Sequence, residues 1–291
     1  MIEVSIQGGL GNQLFQYASA YAVSQYFKQS MVQDVSFFDT QSLRGYRLNK
    51  LKIECCEMTD SNIYKKQCYL VNNKMINYLL RRLDFRTIKW KNCIYWLDET
   101  PNKVYSSEVE NAYMDGYFQS PLYFEKYREN LLKQICPIYE EEAEYKNVLG
   151  CIKQAESVAI HVRRGDFKTT QKDLSGFHYL LSEKYYHNAL TYIEKHLERP
   201  IFFWFSDDIE WVKNKFGQKE NYQFIQLHTK NADIDEMMLM KNCKHIVTAN
   251  STFSWWASWL NENKDAIHIC PEKRYGNLKM IPDNWIKIAV E

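Results

Sequence analysis

The sequence predicts an α/β protein of two domains. The chain has 291 residues, which is enough for two separate hydrophobic cores. It opens with an alternating strand pattern, a glycine turn and a helix, as mononucleotide-type units do. From Ser157 onward, short apolar runs alternate with helical stretches, a pattern that indicates a parallel sheet with helices on both faces.

The individual elements follow from hydrophobic periodicity and turn residues. The first half contains strands at 2–7 and 31–38, helices at about 14–27 and 122–135, and a turn at 116–121. The second half contains strands at 157–162, 201–205, 222–227, 245–249 and 266–270, and helices at 183–196, 209–216, 234–242 and 255–262. The acidic run 140–144 is the candidate linker, and we expect domains at 1–150 and 151–291.

Composition excludes several classes of protein. A net charge of +1 argues against a nucleic-acid partner. The 8 cysteines include no C-x-x-C pair and no zinc-type spacing with histidine, which fits a reducing cytoplasm. The N-terminus has no signal-peptide pattern, and no apolar run reaches membrane-spanning length, so we expect a cytoplasmic protein.

The region 48–103 has mixed periodicity, and within it the segment 79–91 interleaves basic and apolar residues. Such a segment is typical of contact with an anionic membrane surface. A solvated basic face on an otherwise buried element is the favoured alternative.

The first glycine turn holds Gly11, Asn12 and Gln13 where a helix begins, and backbone N–H groups at such a point bind anions. As a dinucleotide motif it is poor, because Leu14 stands where a third glycine belongs. The alternative is a structural turn without a ligand.

The strand at 157–162 ends in charged residues, at the place where open α/β sheets bind ligands. Strand alternation places His161 and Arg163 on one face and Arg164 on the other, while Gly165 permits a turn that returns Asp166 to the arginines. A guanidinium binds phosphate bidentately. The alternative is a surface Arg–Asp salt bridge beside a core histidine.

Two further strand ends carry ligand-type residues, and parallel strands bring such ends to one edge. Asp207 and Asp208 suit donors on a purine or ribose, or else Mg²⁺ or Mn²⁺. Ser251, Thr252 and Ser254 precede a helix, where hydroxyl and N–H groups bind anions. Helix capping is the alternative for both sets.

Three segments, GGLGNQLFQ (8–16), HVRRGD (161–166) and ANSTFSWW (249–256), together resemble the bacterial α-1,2-fucosyltransferases. The resemblance implies two facing Rossmann-like domains of the GT-B type with the active site in the cleft between them. It implies that the N-terminal domain serves the acceptor and the C-terminal domain the donor, GDP-β-L-fucose. The reaction it implies is inverting transfer to the 2-hydroxyl group of a β-galactoside.

The resemblance also assigns residues to the donor. It implies that the diphosphate is held by His161, Arg163, Arg164, Asn250, Ser251, Thr252 and Ser254. It places the nucleoside near Asp207 or Asp208, and it includes a histidine followed by a Tyr-Tyr pair, matched here by His178 and by Tyr185 and Tyr186.

A mechanism follows from these assignments. Arg163 and the helix N–H groups stabilise the leaving diphosphate in place of a metal, so we expect no metal cofactor. His178 is the first candidate for the general base and Asp166 the second. A lipid-linked acceptor and a peripheral contact with the inner membrane stay open. The rival hypotheses are a non-catalytic carbohydrate-binding protein and an NAD-type oxidoreductase.

Overall fold

The computed structural model describes residues 1–40, 45–54, 57–59, 63–165, 180–272 and 280–290. The chain divides between Tyr139 and Glu140 into two compact units. This division lies at the start of the acidic run that was predicted to be a linker, and position 150 lies inside a helix, Ala143–Gln154, of the second unit.

The first unit is built on a six-stranded sheet of order β3-β2-β1-β6-β5-β4. Its strand pairs are parallel except for β4 with β5, which is antiparallel. The strands are β1 Ile2–Ser5, β2 Met31–Asp34, β3 Glu57–Thr59, β4 Thr87–Trp90, β5 Cys93–Leu97 and β6 Asn111–Asp115. The helices are α1 Leu10–Phe27, α2 Tyr69–Asn72, α3 Lys74–Arg82, α4 Pro101–Tyr105 and α5 Arg128–Gln134.

Three predicted boundaries in this unit were wrong by four residues or more. Helix α1 begins at Leu10, not at 14, so the polar residues of the glycine turn lie in its first turn. Strand β2 ends at Asp34, because the Asp34 carboxylate accepts a hydrogen bond from the Ser36 N–H and turns the chain into a 3₁₀ helix. The helix expected at 122–135 begins only at Arg128, after two 3₁₀ turns that start at Pro121.

The second unit is built on a six-stranded sheet of order β12-β11-β10-β7-β8-β9, parallel throughout. This is the Rossmann order, with a switch point between β7 and β10. The strands are β7 Ser157–Val162, β8 Ile201–Ser206, β9 Tyr222–Ile225, β10 His245–Val247, β11 His268–Pro271 and β12 Ile286–Ile288. The helices are α6 Ala143–Gln154, α7 Glu183–His196, α8 Ile209–Phe216, α9 Ala232–Asn242 and α10 Thr252–Leu260.

The sequence predicted most of this second unit, but it missed α6 and the edge strand β12, and it extended β9 and β10 two residues too far. The bounds of β7, α7 and α8 are confirmed residue for residue. Helix α10 begins three residues earlier than predicted, because the Ser251 side chain caps it. The tryptophans of α10, Trp255, Trp256 and Trp259, are buried core residues. In the part of the chain that the structure describes, no helix has both the length and the apolar character needed to cross a bilayer.

Candidate functional site

The carboxyl ends of three strands meet at one edge of the second sheet, as predicted. Strand β7 is central: Val162 pairs with Ser206 of β8, and Ile160 pairs with Val247 of β10. Every residue of β7 is buried, so the chain reaches the surface only after Val162. The loop that follows therefore lies beside the starts of α8 and α10, at the switch point of the sheet.

Asp207 holds the loop after β7 in place. Its carboxylate accepts hydrogen bonds from the backbone N–H groups of Arg164 (2.8 Å) and Gly165 (2.9 Å). It also forms an ion pair with the Arg163 guanidinium, 2.8 Å from Nη1 to Oδ2. A Cβ atom at Gly165 would lie 2.7 Å from the same Oδ2, so a larger residue at this position would have to displace the carboxylate. The predicted turn at Gly165 is thus a turn around a carboxylate.

Arg164 points away from Arg163, as strand alternation predicted. Its guanidinium carbon lies 3.7 Å from the centre of the Trp211 ring, a cation–π stack. The Asp208 carboxylate lies 3.4 Å from Nε of Arg164. Sequence reasoning missed Trp211. The sequence indicates it only as an aromatic residue about one helical turn after Asp208. The two aspartates therefore each hold one of the two arginines.

The N-terminus of α10 lies close to the end of β7. The rings of His161 and Phe253 are 5.5 Å apart, centre to centre, which ties the two motifs together directly. Ser251 caps the helix by accepting from the Phe253 N–H, and buried Ser254 accepts from the Ala249 N–H. The first turn contains no acidic residue, so the positive end of the helix dipole is not offset there.

Of the other residues predicted at this turn, Asn250 is buried and Thr252 is half-buried. Asn250 lies in the connection between β10 and α10, and Thr252 is the first residue of α10, so the structure brings both to the same strand end as Ser251. Two of the predicted hydroxyls, those of Ser251 and Ser254, serve the local backbone, which is the capping role that the sequence left open.

A tyrosine pair on α7 supports the site from beneath. The Tyr185 hydroxyl donates to the Thr248 carbonyl (2.7 Å), between β10 and the turn. Tyr186 is fully buried, and its hydroxyl is hydrogen-bonded to the backbone of Arg163. Burial, with Asp207 nearby, raises the pKa of Tyr186 well above its ordinary value, so this phenol stays neutral. The pair fixes the two strand ends against each other.

Both candidate bases, Asp166 and His178, lie outside the described residues. Among the residues that are described, no cluster of three His, Cys, Asp or Glu side chains could hold a metal ion. Asp207 and Asp208 are instead turned toward the arginines.

The glycine turn of the first unit is internally bonded. Gln13 is fully buried: its Nε2 donates to the carbonyls of Gly8 (2.9 Å) and Gly45 (3.0 Å), and its Oε1 accepts from the Arg47 N–H (2.9 Å). Gly8 has a φ of +79°, which favours glycine. These contacts match the structural alternative for this turn.

The neighbouring side-chain amides of α1 are also hydrogen-bonded within the first unit. Asn12 accepts a hydrogen bond from Gln119 (2.9 Å). Gln16 bridges the two strand ends at the switch point of this sheet, donating to the Gly116 carbonyl and accepting from the Gln7 N–H. Gly11 is buried within the helix.

Comparisons with known proteins agree with the motifs. The model of glycosyl transferase family 11 matches residues 1–288. The O-antigen biosynthesis glycosyltransferase WbnK of Escherichia coli is 31% identical, over 97% of this chain and 99% of its own. An alpha-1,2-colitosyltransferase of the same organism is 29% identical over 99% of both chains.

A solved structure shares the fold. The fucosyltransferase NodZ from Bradyrhizobium has a TM-score of 0.53 and 11% identity, covering 88% of this chain and 91% of that one. A NodZ crystal soaked with GDP-fucose gives a TM-score of 0.51 and 12% identity, over 89% of this chain and 92% of that one. At this identity the likeness concerns the fold alone.

Proposed function

Because the chain belongs to glycosyl transferase family 11, we propose that it transfers L-fucose from GDP-β-L-fucose to the 2-hydroxyl group of a terminal β-galactoside. The product is an α-1,2-linked fucoside, formed with inversion at the anomeric carbon. The similarity to WbnK supports an acceptor of the O-antigen type.

The observation that carries this proposal is that Arg163 and the start of α10 follow two adjacent strands, β7 and β10, at the switch point of a Rossmann-order sheet. The His161–Phe253 contact joins the two. One group is a permanent cation and the other is a helix N-terminus without an acid, so together they suit a diphosphate. A guanidinium has five N–H donors, so the ion pair with Asp207 at Nη1 is compatible with binding a second anion.

The same two groups supply the chemistry. As the bond between the fucose C1 and the diphosphate oxygen breaks, negative charge grows on the leaving GDP and positive charge grows on the sugar. Hydrogen bonds from Arg163 and from the α10 N–H groups strengthen with that charge, which lowers the barrier. Such donors do the work of a divalent cation, and we infer that transfer needs no metal.

The remaining roles follow from the contacts. Asp207 is a positioning residue, since its three described contacts all hold the Arg163 loop. Arg164 braces that loop through Trp211. We keep His178 as the first candidate for the base that accepts the acceptor's proton and Asp166 as the second.

A colitosyl donor is the second candidate, favoured by the alpha-1,2-colitosyltransferase that matches nearly the whole chain. Colitose is L-fucose without its 3-hydroxyl group. A site that hydrogen-bonds this hydroxyl would reject colitose strongly, because its polar partners would be left unpaired.

A donor and acceptor screen tests both candidates. GDP-fucose and GDP-colitose are each offered with a panel of β-galactosides in the presence of EDTA, and released GDP and the product linkage are measured. We expect GDP release and an α-1,2-fucoside. Preference for GDP-colitose would transfer the proposal to the second donor, and release of GDP only after Mg²⁺ is restored would refute the metal-free mechanism. Binding of galactosides without any transfer would instead support a carbohydrate-binding protein.

A further inference from the structure

The first unit exposes a group of large apolar side chains that its own core does not use. Among the described residues, seven of the twelve exposed large hydrophobic side chains fall within residues 69–90. They are 42% to 73% exposed, Trp90 being the least exposed and Met75 the most. We call this group the outer patch: Tyr69, Met75, Tyr78, Leu79, Leu83, Phe85 and Trp90.

Helix α3 exposes three of its large apolar side chains, Met75, Tyr78 and Leu79, to solvent. Its inward side is anchored by polar contacts, since Asn77 and Arg81 both bind the Asp115 carboxylate, at 3.0 and 2.9 Å. Leu80 of α3 packs against the hydrophobic cluster that contains Tyr95 and Tyr113. The exposed positions Met75 and Leu79 are one helical turn apart, so they form an apolar stripe on the solvent side of the helix, beside the partly buried Ile76 and Leu80.

The edge strand β4 adds an aromatic side chain to the same side of the sheet. Ile88 packs on the cluster that Leu80 also contacts. Trp90 lies two residues further along the strand and therefore on the same face as Ile88, the face that carries α3. The prediction of a solvated basic face on an otherwise buried element holds only for Leu80 and Ile88, since the other four apolar residues of segment 79–91 are exposed.

The outer patch is surrounded by positive charge. Residues 74–91 contain six basic residues and one acid, a net charge of +5, although the whole chain carries only +1. One of the six, Arg81, is turned inward to Asp115, and the other five lie outside that ion pair. The single acid, Asp84, is ion-paired with Arg86 at 2.5 Å. That pairing lowers the pKa of Asp84. Asp84 therefore stays ionised, and it neutralises Arg86 and not the other basic residues.

We propose that the outer patch docks this protein peripherally on an anionic lipid bilayer. Aromatic and aliphatic side chains enter the boundary between head groups and acyl chains, while the surrounding lysines and arginines contact anionic head groups. A second copy of this chain is a poor occupant, because two patches of the same positive charge repel each other. The surface lies wholly in the first unit and does not depend on which sugar is transferred.

The experiment is vesicle flotation of the full-length protein. Vesicles of phosphatidylcholine alone are compared with vesicles that contain phosphatidylglycerol, at low and high salt. The test variant is Leu83→Ser with Phe85→Ser, which removes two exposed side chains of the patch. The matched control is Leu122→Ser with Ile138→Ser, two apolar side chains of similar exposure outside the patch.

We expect salt-sensitive flotation with the anionic vesicles only. The patch variant should bind at least about tenfold more weakly, and the control should bind like the wild type. Transfer to a soluble galactoside should be unchanged in both variants, so the docking and the proposed reaction are measured separately. No flotation, flotation independent of lipid charge, or equal loss in both variants would overturn the proposal. So would an oligomer in solution that the patch variant disrupts, because the patch would then be a protein interface.

Discussion

Each unit of this protein has a sheet whose strand order reverses at a central point, and each places polar residues there, but the two sets of residues behave differently. In the first unit, the side-chain amides of Gln13 and Gln16 hydrogen-bond to backbone carbonyls and N–H groups of the surrounding loops. In the second unit, the corresponding place holds Arg163 and the acid-free start of α10.

The difference shows that, at similar places in a fold, the chemistry of the side chains decides whether they stabilise the fold or bind a ligand. An amide both donates and accepts, so it can satisfy neighbouring loops completely and become part of the core. A guanidinium only donates and carries a permanent charge, so it suits an anionic ligand as well as the Asp207 that positions it. We therefore expect substitutions in the glycine turn of the first unit to affect stability, and substitutions in the Arg163 loop of the second unit to affect turnover.

The largest effect is expected at Arg163. Lysine keeps the charge but loses the fork of donors, so Arg163→Lys should lower kcat by about 10²–10³ with the melting temperature nearly unchanged. Steady-state kinetics with a calorimetric melt test this. A near-normal rate would remove Arg163 from the mechanism and erase the contrast between the two turns.

A pH prediction concerns Glu3, on the strand that leads to the first turn. Burial raises the pKa of Glu3 to about 7, although the Tyr64 backbone N–H opposes the shift. The folded protein then holds a proton that the unfolded chain loses near pH 4.5, so stability falls as the pH rises from about 4.5 to about 7.

The substitution Glu3→Gln keeps an acceptor for Tyr64 and removes this titration. Between pH 5 and pH 8, the unfolding free energy of the variant should fall by up to about 3 kcal/mol less than that of the wild type. Chemical denaturation at the two pH values measures it. Glu236→Gln is the matched variant in the second unit, where burial also raises the pKa of Glu236 to about 7. Unchanged pH dependence in both variants would contradict the burial argument.

Gln13→Ala should destabilise the protein without touching the donor site. It removes a buried amide with three hydrogen bonds to backbone groups, at a cost of about 2 kcal/mol. Affinity for GDP should stay within about twofold of the wild type, a change too small to count as loss of a binding contact. Asn12→Ala, at a half-buried position, is the milder control. Loss of GDP binding in Gln13→Ala would show that the first turn binds the donor after all.

The smallest effect is expected at Asp207, which acts through Arg163. Asp207→Asn keeps an acceptor for only one of the two loop N–H groups and weakens the ion pair, so kcat should fall about tenfold with KM for the acceptor unchanged. If Asp207 instead bound the nucleoside, KM for the donor would rise while kcat stayed the same.

Sequence reasoning succeeded where burial is simple. Strand β7 is buried on both faces and therefore has a continuous apolar run that ends at its true boundary. It failed in the region 48–103, whose mixed periodicity predicted neither helix α3 nor strands β4 and β5. It could not assign Asp207 to the loop or Arg164 to Trp211, since an aspartate after a strand looks the same whether it binds a ligand or a neighbouring backbone.

A crystal structure of the GDP complex, grown in EDTA, tests the central claim most directly. The account predicts diphosphate oxygens within about 3 Å of both the Arg163 guanidinium and a backbone N–H in the first turn of α10. A diphosphate bound away from these two groups, for example at the glycine turn of the first unit, would contradict it.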